Sequence, residues 1–169
     1  MIVVLTGRFV TDGDRTWFLT ADATSPSVLT GRSDMVSVES ILDVLARAPK
    51  RLIQAGFGDA ICRSTAQTDW LLASRLLGQP YRTTPFAFIT ELENQLVADP
   101  AALLKGDRAA LSHLIQILLL SGFGMTICGG SYPASQGEHL ISHHIEMMPP
   151  PGWEPALHGE QIAVTTLVM

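Results

Sequence analysis

The sequence predicts a mainly α-helical protein with a short β-hairpin region at its N-terminus. Two observations support this fold class: β-branched and aromatic runs flank a turn signal within residues 2–31, and apolar residues recur at helical spacing from about residue 36 onwards. The predicted domains are therefore a hairpin and linker at 1–35 and a helical domain at 36–169. Hydrophobic residues make up 47% of the 169 residues, enough for one compact core.

The N-terminal region is predicted to form a hairpin. Two runs, IVVLTGRFV and TWFLTA, flank TDGD, a turn signal with a glycine where positive φ is needed. The following TSPSVLTGRSD indicates a loop with room for one more strand. Because a lone hairpin is marginally stable in water, we expect this region to pack against something larger.

The rest of the chain is predicted to be a series of helices bounded by glycine and proline. In order they are SVESILDVLARAP, DAICRSTAQTDWLLASRLLG, PFAFITELENQLVAD, DPAALLKG, DRAALSHLIQILLLSGFG, ASQGEHLISHHIEMM and PALHGEQIAVTTLVM. The second begins at Asp59, after Gly56 and Gly58, two glycines that permit a tight turn and a close approach to a neighbour. The last stays apolar up to Met169, which indicates a piece of a longer protein, since domain termini are usually polar.

Charge and cysteine content exclude several functions. The net charge is −5 and the 11 basic residues are scattered, so no nucleic-acid-binding surface is expected. Cys62 and Cys128 belong to no C-x-x-C pair, which favours reduced, buried thiols in a cytoplasmic protein over a disulfide or metal site.

No targeting signal is predicted either. The N-terminus has no basic leader followed by a cleavage site, so no signal peptide is predicted. The apolar segment 111–125 is interrupted by His113, Gln116 and glycines, and it is shorter than the roughly 20 residues of a membrane span. It is predicted to be a buried core helix.

Three histidines near the C-terminus have a spacing that suits a metal centre. On a helix, His139 and His143 lie on one face, whereas His144 points about 100° away. Such a pair can hold a metal with one imidazole and leave the second over an open coordination position. His158 begins the next helix, from which its side chain can reach a site shared with the preceding one.

Asp59 is the candidate for a further ligand. At the start of a helix it can equally serve as a cap, which stabilises by about 1 kcal/mol. One aspartate and two histidines from three elements would leave a position for water or substrate, as in catalytic metal sites. Each histidine can also be an ordinary hydrogen-bonded polar group, an interpretation that is favoured for His113 and stays open for His139.

Other chemistry-bearing motifs are not supported. GFGDAI and GFGMTICGG are glycine-rich, but neither follows a clear strand in a G-x-G-x-x-G frame. The sequence has no G-x-S-x-G elbow and no Walker A motif. No dinucleotide-binding site is therefore predicted, and the cofactor-binding residues are unassigned.

With these motifs, the sequence resembles the sn-glycerol-1-phosphate dehydrogenase family, within the superfamily of 3-dehydroquinate synthase and the iron-containing alcohol dehydrogenases. The segments that carry the likeness are 48–73, 121–125, 131–147 and 155–167. The likeness extends from about residue 36 to the end. The dehydroquinate-forming relatives have a glutamate-plus-lysine pattern at the position of the aspartate in GFGD, so this aspartate favours the glycerol and glycerol-phosphate dehydrogenases.

The resemblance implies a role for each candidate residue. It implies Asp59, His139 and His158 as metal ligands, with Zn2+ as the expected ion and Fe2+ or Ni2+ as alternatives. It further implies that Asp59 and His143 contact the substrate and that His143 relays a proton. In the family, a Rossmann-like domain that holds NAD or NADP precedes the helical domain. That domain is expected to be absent from this chain, and further helices are expected to follow Met169.

The implied reaction is the NAD(P)-linked reduction of dihydroxyacetone phosphate to sn-glycerol 1-phosphate, a precursor of phospholipids, by a homo-oligomer without a membrane span. The sequence departs from the family in SYPASQ, where the family commonly has Ser-Arg-Pro-Ala-Ser-Gly. Tyr132 thus replaces an arginine that could bind phosphate in bidentate fashion. Glycerol dehydrogenase, a 3-dehydroquinate synthase-like enzyme and a non-catalytic remnant of the fold therefore remain alternatives.

Overall fold

The computed structural model describes residues 7–12, 15–20 and 35–169. The chain divides into two compact units, Met1–Arg47 and Ala48–Met169. The first unit therefore includes a helix that we had assigned to the domain at 36–169. The division of function between a remnant and a metal-binding domain stays a prediction.

The first unit contains a three-stranded antiparallel sheet and one helix. Strands β1 (Gly7–Asp12) and β2 (Arg15–Thr20) pair antiparallel, which confirms the predicted hairpin. Strand β3 (Met35–Ser37) pairs with the other edge of β2 and leads directly into helix α1 (Val38–Leu45). The predicted loop TSPSVLTGRSD lies entirely outside the described residues.

The second unit is helical throughout its regular structure. Its helices are α2 (Lys50–Ile61), α3 (Arg63–Leu77), α4 (Thr84–Ala87), α5 (Thr90–Ala98), α6 (Ala101–Lys105), α7 (Arg108–Cys128), α8 (Gly137–Met147) and α9 (His158–Val168). Gly78 and Gly106 adopt left-handed conformations, with φ of 70° and 77°, directly after α3 and α6. These two predicted helix ends are confirmed, because glycine takes positive φ without a steric penalty.

The predicted helix boundaries near Asp59 and Ile89 are wrong. Asp59 does not begin a helix, because α2 starts at Lys50 and carries Asp59 in its last turn. The interpretation of Asp59 as an N-terminal cap is thereby overturned. The segment PFAFITELENQLVAD does not form one helix either, since it is interrupted after α4, and Ile89 at the interruption is fully buried.

The core of the second unit lies among α2, α5, α6 and α7. Its buried side chains are Ile53, Ala60, Ile89, Leu96, Leu103, Ala110, Leu111, Leu114 and Ile117. Complete burial of a leucine or isoleucine stabilises a fold by about 1.5–3 kcal/mol. This cluster therefore fixes α7 against α2, the helix that carries Asp59.

Helix α7 is longer and more exposed than predicted. It has 21 residues because Gly122 and Gly124 do not end it. By length and composition it is the one helix in the described part of the chain that could cross a membrane, and 22% of its most apolar stretch is buried. Leu111 lies in the core as predicted, whereas Phe123 and Ile127 on the same helix are about half exposed.

Helices α2 and α9 approach each other so closely that their backbones touch. A Cβ atom added to Gly58 would lie 2.2 Å from the carbonyl oxygen of Gly159, and one added to Gly159 would lie 1.8 Å from that of Ala55. No side chain fits at such distances, so both positions require glycine. This crossing places Asp59, near the end of α2, beside His158, the first residue of α9.

Candidate metal and substrate site

The three predicted ligands converge at the α2–α9 crossing. The ligand atoms of Asp59, His139 and His158 all lie within 4.8 Å of one another. Asp59 Oδ1 is 3.6 Å from Nε2 of His139 and 3.8 Å from Nε2 of His158. The two rings, whose centroids are 5.1 Å apart, come from α8 and α9.

His139 is held from behind by a buried carboxylate. Its side chain is 9% exposed, and Nδ1 lies 2.9 Å from Oε1 of Glu138, which is fully buried. The backbone N–H of Gln136 donates to the same oxygen at 2.9 Å. The hydrogen bond between His139 and Glu138 places a proton on Nδ1 of His139 and leaves Nε2 facing Asp59, which is the usual arrangement of a metal-binding histidine.

Sequence reasoning missed this role of Glu138. Neighbouring residues on a helix normally point in different directions, so a Glu-His pair gives no signal of contact. The pair lies in the first turn of α8, where Gln136 precedes the helix and supplies the second hydrogen bond. The available clue was that Glu138 directly precedes His139, a candidate ligand, and had been assigned no other partner.

Cys62 belongs to the same buried wall. Its thiol donates to the carbonyl oxygen of Asp59 at 3.0 Å and to that of Ala134 at 3.4 Å. Burial raises the pKa of the Cys62 thiol, and both cysteines are free. Cys62 is therefore a buried thiol, as predicted, and it contacts the helix backbone at Asp59, whereas Cys128 is only partly buried.

The environment of His139 favours positive charge. Burial by itself would lower the pKa of His139, but the surrounding Asp59, Cys62 and Glu138 outweigh burial and raise that pKa to about 11. Burial likewise opposes ionisation of Glu138, yet hydrogen bonds from His139 and from the backbone lower its pKa. A buried carboxylate and a second carboxylate at Asp59 therefore create a point at which the chain stabilises a cation.

His143 lies on the open side of the cluster. Its ring stacks on His158 with a centroid distance of 5.5 Å and an interplanar angle of 15°. Nδ1 is 3.2 Å from Oε2 of Glu146, and this hydrogen bond lowers the pKa of the Glu146 carboxyl. His144 is exposed and lies outside the cluster, as the helical spacing predicted.

A hydrogen-bond network joins the open side of α8 to α9. Gln161 Nε2 donates to Glu146 Oε1 at 3.0 Å and to the carbonyl oxygen of Ala156 at 3.3 Å. The hydroxyl of Ser142 donates to Gln161 Oε1 at 3.1 Å. Because Glu146 also binds His143, the network fixes that ring relative to His158.

A cavity of about 260 Å³ opens directly onto the candidate ligands. Its lining residues are Asp59, Ala60, Ile117, Leu118, Ser121, Gly122, Met125, Ala134, Ser135, His139 and His158. One face of α7 forms the wall opposite the histidines. The volume lies below the roughly 300–1,000 Å³ typical of pockets for drug-sized ligands, so it suits a small molecule.

The residues that depart from the family pattern lie beside this cavity and not among its lining residues. Tyr132 stacks on Trp70 with a centroid distance of 5.5 Å and an interplanar angle of 18°. Trp70 in turn contacts Tyr81 and Phe86. Gln136 Nε2 donates to the carbonyl oxygen of Tyr132 at 3.1 Å. Tyr132 thus belongs to an aromatic cluster that includes Trp70 of α3.

The donor set suits a divalent metal ion. One carboxylate oxygen and two imidazole nitrogens, contributed by three different helices, match the three protein ligands of a catalytic zinc site. The adjoining cavity provides space for a fourth ligand. The buried Glu138 supplies the outer carboxylate that such sites usually place behind a ligating histidine.

Three known proteins similar to this chain share one name. Glycerol-1-phosphate dehydrogenase [NAD(P)+] of Pyrococcus horikoshii is 34% identical over 134 residues, which are 79% of this chain and 38% of the relative. The enzyme of that name from Sulfurisphaera tokodaii is 37% identical over 134 residues, 79% of this chain and 37% of the relative. The one from Staphylothermus marinus is 32% identical over 158 residues, 94% of this chain and 44% of the relative.

No protein-family model matches the chain. The chain spans about two fifths of the length of the curated relatives it matches. The matches to these enzymes cover 79–94% of this chain. This chain therefore belongs to the glycerol-1-phosphate dehydrogenase family.

Proposed function

We propose that this chain is the metal-binding catalytic part of an NAD(P)-linked oxidoreductase that interconverts dihydroxyacetone phosphate and sn-glycerol 1-phosphate. The observation that carries the proposal is the convergence of Asp59, His139 and His158 within 4.8 Å at the edge of a cavity. The name of the relatives supports the reaction class and the nicotinamide cofactor.

The proposed ligands of the ion are Asp59, His139 and His158. Zinc fits a site of one oxygen and two nitrogen donors, and iron or nickel are alternatives. When bound, the ion supplies Lewis-acid chemistry at the substrate's oxygen. Because the pKa of His139 is raised to about 11, the cation must displace a proton, and its binding is expected to weaken as the pH falls.

His143 is the proposed proton carrier. Its hydrogen bond to Glu146 through Nδ1 assigns the proton to that nitrogen and leaves Nε2 able to accept one from a substrate hydroxyl. The stacking on His158 keeps the ring beside a ligand of the metal. NAD or NADP would exchange the hydride, and this chain would contribute orientation and exclusion of water.

The cellular setting is part of the same proposal. A soluble metabolic enzyme of this kind would act in the cytoplasm, in phospholipid biosynthesis, with a small-molecule substrate. Assembly into a homo-oligomer remains a prediction. The exposed apolar side chains Val164, Leu167 and Val168 on α9 are consistent with a further contact on that face.

Metal content tests the proposal. We expect one zinc ion per chain after zinc loading and removal of weakly bound metal, and loss of that ion in His158→Ala. The matched control is His144→Ala, which removes an exposed histidine outside the cluster from the neighbouring helix. Equal zinc content in the two variants would contradict the proposed ligand set.

Substrate class is tested on the zinc-loaded chain. Dihydroxyacetone phosphate and dihydroxyacetone differ by the phosphate alone, so titration with both compounds isolates its contribution. Tighter binding of the phosphorylated compound is expected. Equal binding of the two compounds would instead favour a glycerol dehydrogenase, and binding of neither would favour a non-catalytic remnant.

A further inference from the structure

Two glycines interrupt the most apolar stretch of α7. Gly122 and Gly124 both lie inside the helix, several residues before it ends at Cys128. Glycine weakens a helix interior relative to alanine, because it gains backbone freedom in the unfolded chain. A glycine at such a position therefore calls for a compensating reason.

Packing explains Gly124 but not Gly122. A Cβ atom on Gly124 would lie 3.0 Å from Cβ of Pro85, so the absence of a side chain lets α4 pack against α7. A Cβ atom on Gly122 would meet nothing within 4 Å outside its own stretch of helix. The space next to Gly122 is open, and no neighbour in the described structure requires it.

That open space belongs to the cavity next to the candidate ligands. Leu118, Gly122 and Met125 follow one another at intervals of four and three residues, so they share one face of α7, and all three line the cavity. Asp59 and His158 line the same cavity on its other side. A side chain at position 122 would therefore project into the space in front of the metal ligands.

We propose that Gly122 is a specificity-determining residue, which keeps the α7 wall of the cavity clear for the substrate's carbon chain. This inference rests on the proposed function, since the wall matters only if a substrate reaches the ligands. Ser121 and Ser135, which also line the cavity, offer hydroxyl groups to a polyol. The cavity thus suits a short hydroxylated compound, such as a three-carbon ketose or polyol.

If Gly122 has this role, replacing it should raise stability and weaken substrate binding at the same time. Gly122→Ala adds a good helix former where nothing obstructs the methyl group, so we expect a higher midpoint of thermal unfolding. The same methyl group narrows the cavity, so we expect weaker binding of the substrate. Gly122→Leu fills more of the cavity and should weaken binding roughly tenfold or more.

The control is the same change two residues further along the helix. Gly124→Ala directs its methyl group at Pro85, so we expect a lower unfolding midpoint and unchanged ligand affinity. This pair separates the two roles of glycine in α7. A general disturbance of the helix would affect stability and binding together.

Co(II)-loaded chain provides the readout, because the visible spectrum of Co(II) responds to changes in its ligands. Each variant is titrated first with Co(II), then with azide, then with dihydroxyacetone phosphate. We expect unchanged affinity for Co(II) and for the small azide ion in both Gly122 variants, together with weakened affinity for dihydroxyacetone phosphate.

The outcomes distinguish this inference from the proposed function. If Gly122→Leu binds dihydroxyacetone phosphate as tightly as the unaltered chain does, the role of Gly122 is overturned and the metal site stands. If the unaltered chain binds Co(II) and azide but not dihydroxyacetone phosphate, the proposed substrate fails and the inference fails with it. Loss of Co(II) binding in Gly122→Ala would also overturn the inference, since it would assign Gly122 to the metal site.

Discussion

The two halves of the candidate site are held in place by different means. On the inner half, the ring of His139 is buried and is oriented by side-chain hydrogen bonding to Glu138. On the outer half, the side chains of Asp59 and His158 are 37% and 42% exposed, and their positions follow from the backbone contact between Gly58 and Gly159.

Because of this difference, the two halves of the site are expected to be sensitive to different kinds of substitution. Side-chain positioning on the inner half depends on charge and on one buried carboxylate, so it responds to isosteric substitution. Backbone positioning on the outer half depends on the separation of two helices, so it responds to volume. A change of either kind should weaken metal binding, but only the second should also disturb the fold.

The largest effect is expected from Gly58→Ala, which attacks the outer half. The new methyl group would lie 2.2 Å from a carbonyl oxygen and 2.9 Å from Cβ of Ala163, so α2 and α9 must separate. We expect a loss of about 1–3 kcal/mol in the free energy of unfolding. Zinc binding should fail as well, because Asp59 moves away from His158. Urea denaturation and zinc titration measure the two effects.

Gly56→Ala is the matched control for this change. Its methyl group would lie 3.7 Å from Leu118 Cδ1 and 3.8 Å from Leu114 Cδ2, which is ordinary contact. Since alanine favours the helix by about 1 kcal/mol, we expect equal or higher stability and normal zinc binding. Equal losses in Gly56→Ala and Gly58→Ala would show that the close crossing has no special role.

A smaller effect is expected from Glu138→Gln on the inner half. The amide keeps the shape of the side chain but removes the charge behind His139, and such changes typically weaken metal binding about 10- to 100-fold. The control is Glu146→Gln, which removes an exposed carboxylate that contacts His143 and not a ligand. Competition with a chromophoric chelator measures zinc affinity, and identical affinities in the two variants would refute the positioning role.

The smallest effect concerns the outer edge of the α2–α9 crossing. Glu160 accepts two hydrogen bonds from Arg51, at 2.6 and 2.8 Å, and one from the backbone N–H of Leu157 at 2.9 Å. The Arg51 bond is the main cause that lowers the pKa of Glu160 from 4.5 to about 2. The folded-state pKa lies below the unfolded value, so this pair stabilises the fold above pH 4.5 and loses its effect as the pH falls towards 2.

Glu160→Gln should therefore reduce stability slightly at pH 7 and flatten the decline in stability between pH 4.5 and 2. Urea unfolding at several pH values in that window, for the variant and for the unaltered chain, measures this difference. Parallel pH profiles for both proteins would mean that the Arg51–Glu160 pair contributes nothing measurable.

Much of the fold could be predicted because local signals agreed with tertiary structure. Gly78 and Gly106 end helices through positive φ, a requirement that sequence alone expresses. The convergence of His139 and His143 followed from the helical period. The start of α9 at His158 followed from the proline-rich turn before it.

The errors occur where tertiary contact overrides local preference. Gly56 and Gly58 suggested a turn, because glycine is disfavoured in a helix, yet Gly58 is in a helix that needs close contact with Gly159. As a result, Asp59 was predicted to begin a helix, although it lies in the last turn of α2. Gly122 and Gly124 suggested a helix end because glycine is disfavoured in a helix, and of these two only Gly124 has a tertiary contact, with Pro85, that explains it.

The inner wall of the site was beyond sequence reasoning because it depends on contacts that have no characteristic spacing. Glu138 and His139 are adjacent in sequence, and Cys62 lies far from both, yet the three form one buried group within 4.8 Å. The candidate ligands could be predicted from residue type and from the family resemblance. Their supporting residues emerge only once three helices are in place.

The central claim is that a single divalent cation is bound jointly by Asp59, His139 and His158. Anomalous scattering at the zinc absorption edge, from crystals of the zinc-loaded chain, tests it most directly. We expect one peak at about 2.0–2.2 Å from an Asp59 carboxylate oxygen and from Nε2 of both histidines. A peak bound by other residues, or no peak in this cluster at full zinc loading, would contradict it.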